Sequence, residues 1–150
     1  RSSVYLYVSS RDDMVVQLLR ETIPAWLDEL AGQIGRAGTD PADRLAVYVR
    51  VTLDLFVEGS HGPLMTAAQT FPGAFADERV QQAHNGLEPA LHALLGDAAA
   101  LSRPLLDAAI QRGAELVAQS GADVEAVAAV LQRMARASLA GDLEESPVGD

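Results

Sequence analysis

The chain has 150 residues, 49% of them hydrophobic but only 5% aromatic, a size and an Ala/Leu-rich make-up that predict one domain of packed helices rather than sheet. It contains no cysteine, and all 11 of its basic residues are arginines, which excludes disulfides, Cys-ligated zinc, a Walker-type phosphate lysine and a Schiff-base lysine. A net charge of −10 excludes general nucleic-acid binding by this piece, because phosphate contacts need a basic surface.

The first element predicted is a long helix. Ser10 is a good N-cap with Asp13 three residues on, and an apolar series follows at helical spacing: Met14, Val15, Leu18, Leu19, Ile23, Trp26, Leu27, Leu30 and Ile34. Pro24 removes one backbone donor and should bend this helix, and Gly35 and Gly38 should close it. Asp40-Pro41 restarts the chain as N-cap and first helical residue. Residues 45–57 are apolar almost all round, the mark of a central helix. Residues 59–62 end it, and Pro63 should begin a short helix reaching about Thr70. Phe71-Pro72-Gly73 reads as a turn. Asp77 then caps a helix ended by Gly96. A further helix carries Leu105, Leu106, Ile110, Leu116 and Val117 to about Gly121, and Asp123 caps the last, with Val127, Val130, Leu131, Met134 and Leu139. There is no internal repeat and no convincing strand. The fold class expected is all-α.

The most informative residues are the first fourteen, Arg1-Ser2-Ser3-Val4-Tyr5-Leu6-Tyr7-Val8-Ser9-Ser10-Arg11-Asp12-Asp13-Met14. They resemble the junction of a TetR-family transcriptional regulator, where the recognition helix ends in a Tyr-x-x-Phe segment and a Ser-Lys-x-Glu-Leu start opens the regulatory domain. Tyr5 stands at the tyrosine position, with Val8 for phenylalanine, Arg11 for lysine, Asp13 for glutamate and Met14 for leucine. Residues 56–62 and 133–139 look like the ethionamide-repressor branch of that family. The resemblance implies that residues 1–9 are the end of a helix-turn-helix domain, with about 40 residues of that domain upstream. Residues 10–150 would form a ligand-binding and dimerising helical bundle. It implies DNA contacts by Arg1, Ser2, Ser3 and Tyr5, a homodimer, and a small, mostly apolar effector that controls binding to operator DNA. The alternative is a helical small-molecule-binding or interaction domain with no DNA role.

The sparse aromatics cluster between Tyr48 and Phe75, where the family's effector would bind. Candidate contacts are Tyr48, Thr52, Phe56, Met65, Gln69, Phe71, Phe75, Asn85 and Gln132, although Met and aromatic side chains are also ordinary core filling. Trp26 reads as core. His84, Glu88 and His92 are spaced to share one helix face and could ligate a divalent ion, or simply form a solvated stripe; no metal or other cofactor is expected. No nucleophile elbow, phosphate loop or Glu-x-x-His pair is present, and the chain reads as a non-enzyme. Small residues on the last two long helices, Ala108, Ala109, Gly113 and Ala114 on one and Ala126, Ala129, Ala135 and Ala137 on the other, suggest a four-helix dimer interface. With no 18-residue apolar run and no signal-peptide pattern, a soluble cytoplasmic protein without membrane contact is expected.

Overall fold

Local capping chemistry sets several helix boundaries in the computed structural model, which describes residues 11–58 and 78–139. Helix α1 (Arg11–Ala37) carries Pro24 in its interior and gives way at Gly38. Helix α2 (Pro41–Val57) starts where the extended Asp40 accepts a hydrogen bond on its carboxylate from the Ala42 N–H, at 2.8 Å. Helix α3 (Glu78–Leu95) is followed by Gly96 and a single 3-10 turn at Asp97–Ala99, which the sequence reading did not include. Helix α4 (Ser102–Ser120) ends at Gly121, whose φ of 65° lies in the left-handed region that glycine enters without steric cost. Helix α5 (Val124–Leu139) follows at once, with the Asp123 carboxylate accepting from the Ala126 N–H at 2.8 Å. Among the described residues there is no strand, and the fold is all-α. The expected Ser10 and Asp77 caps and the short helix after Pro63 lie outside the described residues.

Helix α2 is the hub. It touches α1, α3, α4, α5 and the 3-10 turn, as its all-round apolar surface requires. Leu45, Val49 and Leu53, spaced four apart along one face, are completely buried. Around them α1 contributes Leu30 and Ile34, α3 Leu91 and Leu95, α4 Leu106 and Ile110, and α5 Ala128, Leu131 and Ala135. Burying side chains of this size contributes about 1.5–3 kcal/mol each, so the centre of the bundle carries most of its stability.

The α4–α5 contact is close because Gly113 permits it. A Cβ added there would lie 2.8 Å from Val127 Cγ1 and 3.1 Å from Leu131 Cδ1. Overpacking of this kind costs about 1–3 kcal/mol, partly offset by the roughly 1 kcal/mol that alanine gains over glycine in a helix. Gly113→Ala should therefore lose about 1 kcal/mol and melt about 2–4 °C lower. A melting temperature unchanged or raised would show that the two helices are not held at this distance.

The small-residue series on α4 and α5 divides. Gly113 and Ala135 point into the protein's own core, and Ala109 and Ala114 are partly covered by it. Only Ala108, Ala126, Ala129 and Ala137 are exposed.

Candidate functional site

Helices α1 and α2 leave an open, groove-like cavity of about 440 Å³ between them. From α1 it is lined by Glu21, Thr22, Ala25, Trp26, Glu29 and Gln33, and from α2 by Val51, Asp54 and Leu55. Positions 21, 22, 25, 29 and 33 recur at three- and four-residue spacing, so α1 presents one continuous face to it. The walls are mostly apolar, and three carboxylates stand among them.

Two polar atoms of the lining are unusual. Trp26 Nε1 and Asp54 Oδ1 are buried and have no hydrogen-bond partner among the described residues. Leaving such a group unmet costs about 1–3 kcal/mol. The other Asp54 oxygen accepts from Arg50 Nε at 2.9 Å, and Arg50 in turn spans to Glu125 of α5 through two bonds of 2.6 and 2.8 Å. These bonds, Glu125 first and then Asp54, raise the Arg50 guanidinium above its usual value, and Arg50 holds the Glu125 carboxyl below the usual carboxylate range. Among the described residues Glu21 and Glu29 accept only from neutral amides, Gln17 at 3.0 Å and Gln33 at 2.8 Å.

Trp26 joins the cavity to the core. Its ring meets that of Tyr48 edge to face, with centroids 6.3 Å apart. Tyr48 donates its hydroxyl to Asp107 of α4, which also accepts from Arg103, and Arg103 donates to both oxygens of Glu88 on α3. Burial and then the bond to Asp107 push the Tyr48 hydroxyl well above its ordinary value, which keeps it a neutral donor. Burial likewise raises the Asp107 carboxyl, against the pull of Tyr48 and Arg103. One polar chain thus ties α2, α3 and α4 together beside the cavity.

None of the described residues expected to touch an effector lines this cavity. Tyr48 is buried one layer behind it, on Trp26. Thr52 is buried with its hydroxyl unpartnered among the described residues. Phe56 packs partly buried against the core. Gln132 donates from α5 to the Ala46 carbonyl at 3.2 Å, and Asn85 is exposed on α3. Met65, Gln69, Phe71 and Phe75 lie outside the described residues, as do Arg1, Ser2, Ser3 and Tyr5. Trp26 packs against the core as the sequence suggests and also lines the cavity, while Glu21, Thr22, Glu29 and Asp54 of the lining were not singled out in the sequence. An acidic i, i+8 pair flanking a lone tryptophan was the available signal.

The metal candidates are only partly within the described residues. Glu88 is held by Arg103, and His92 Nε2 lies 3.2 Å from Asp97, while the His84 side chain is outside the described residues. Among the described residues no group of three potential ligands is placed to hold an ion.

The arrangement defines a helical body with an apolar, acid-lined cavity beside its central helix. No helix among the described residues is long and apolar enough to cross a membrane. No family model matches the chain, and no curated protein or solved structure is significantly similar to it.

Proposed function

We propose that this chain is the sensing and pairing body of a ligand-responsive transcriptional repressor of the TetR type. The observation that carries the reading is that α1 serves two places at once. Its middle turns wall the cavity, and its N-terminal end at Arg11 adjoins the segment that resembles the end of a DNA-reading head. A molecule seated between α1 and α2 binds one relative position of these helices better than another, which is the requirement for a ligand to move an equilibrium. About ten residues of helix separate Glu21 from Arg11, roughly 15 Å, so a small tilt at the cavity becomes a larger displacement at the head.

Pairing would use the outer faces of α4 and α5. Leu101 and Leu105, four residues apart, and Leu116, three helical turns further on, are exposed on α4 and its N-cap, and Val130 and Met134 on α5. Ala108, Ala126 and Ala137 fall among them, and the core faces of both helices point the opposite way. Large apolar side chains grouped this way on two adjacent helices suit a symmetric contact with a second copy.

The decisive test is the coding sequence upstream of Arg1 together with a mobility shift on the protein's own promoter DNA. A basic helix-turn-helix joining directly at Arg1, and a salt-sensitive shift, are expected. Any other N-terminus sinks the repressor reading and leaves a helical ligand-binding domain, the reading that the net charge of −10 favours. Light scattering should give a dimer for this chain, and Leu105→Glu should weaken dimerisation at least about tenfold. A monomeric parent chain would overturn the pairing part alone.

A further inference from the structure

The geometry points to an organic cation with an aromatic or otherwise apolar body as the occupant of the α1–α2 cavity, an inference that rests on the sensing role proposed above. Ala25, Trp26, Val51 and Leu55 supply the apolar walls. Glu21, Glu29 and Asp54 supply negative charge, and no basic side chain lines the cavity among the described residues. Glu21 and Glu29 have no ion pair among the described residues, and Arg50 occupies only one oxygen of Asp54, so the cavity stays net negative. The second oxygen of Asp54 is buried and without a partner among the described residues, and a turn of the carboxylate brings it to an N–H or ammonium donor of the occupant. Trp26 in the lining suits the same sign where its face meets the occupant, because aromatic faces attract cations most strongly when the ring is tryptophan.

Competing classes fare worse on the same residues. An anion would face three carboxylates. A bare metal ion would have apolar walls for much of its shell, whereas the volume is that of a small-molecule site. A neutral apolar molecule gains burial but leaves the three carboxylates of the lining without a counter-charge.

Tryptophan occurs once in the chain, so fluorescence of Trp26 reads the cavity directly. The probes are tetraphenylphosphonium and tetraphenylborate, which share size and shape and differ in the sign of their charge. Tetraphenylphosphonium should give a saturable change that weakens with added salt, and tetraphenylborate none at the same concentrations. Glu21 and Glu29 are both exposed, so the Glu21→Gln/Glu29→Gln double variant should keep its melting temperature. It should bind the cation about tenfold more weakly or worse. Equal binding of the two ions, no response to either, or an unchanged affinity in the double variant overturns the inference. Those results bear on the chemistry of the ligand. The sensing role fails separately, through the wrong sequence upstream of Arg1, even where the cation binds as expected.

Discussion

Leu53→Ala should destabilise the fold by about 3 kcal/mol, within the roughly 2–5 kcal/mol that large-to-small changes cost in a well-packed core. Leu53 is completely buried at the centre of the hub helix, and its Cδ1 would lie 3.9 Å from a Cβ at Gly113, where α4 packs against Val127 and Leu131 of α5. Neighbours on three helices would have to move together to fill the space, and each is already fixed by other contacts. The expected fall in melting temperature is about 6–12 °C, read by circular dichroism. A loss under about 1 kcal/mol would mean that α2 is not the central element.

Arg103→Ala comes second and carries a pH signature. Arg103 is largely buried and donates to Asp107 at 3.0 Å and to Glu88 at 2.6 and 2.8 Å. Its removal leaves the half-buried Asp107 carboxylate with Tyr48 as its remaining partner among the described residues. A charge-assisted bond of this kind is worth about 1.5–3 kcal/mol, and the exposure of Glu88 trims its share. A loss of about 2 kcal/mol at neutral pH follows.

The sign of the pH effect comes from Asp107. Burial raises its carboxyl in the folded protein above the ordinary carboxylate value, so the fold favours the protonated form. That preference stabilises fully below the unfolded value, about pH 4, and is lost as pH rises through the folded one. Arg103 opposes the shift, so its removal raises the Asp107 carboxyl further and makes ionisation costlier. The gap between parent and variant should be small near pH 4 and widen towards pH 7, in thermal melts across that range. A gap independent of pH would assign Arg103 to packing alone.

Helix boundaries were legible because their causes are local. Asp40-Pro41, Asp123 and Gly121 each act within a few residues of themselves, and each stands where the sequence places it. The central role of α2 was legible too, since a surface apolar on every side can only be satisfied by neighbours on every side. The cavity was not. It depends on which faces of α1 and α2 meet, and a helical pattern alone does not set that phase. Trp26 shows the difficulty: the periodicity that marks it as core also turns it towards the space between two helices. The chain from Tyr48 to Glu88 joins three helices, and residues 59 apart in sequence meet in the bond from Tyr48 to Asp107. Gly113 and Ala135 were legible as close-contact residues, but the partner surface is the protein's own α2–α4–α5 layer.

Pro24 has a mechanical consequence. With no N–H to give, it leaves the Arg20 carbonyl without its usual helical donor, and α1 is softest to bending in that turn. The half beyond it is fixed in the central core cluster by Leu30 and Ile34, while the half before it buries Val16 and Leu19 outside that cluster and leaves Met14 and Leu18 exposed. A helix built this way does not flex evenly like a rod. Torque applied at either end gathers in one turn, which holds Glu21 and Thr22 of the cavity wall, so the joint and the socket share the same few residues.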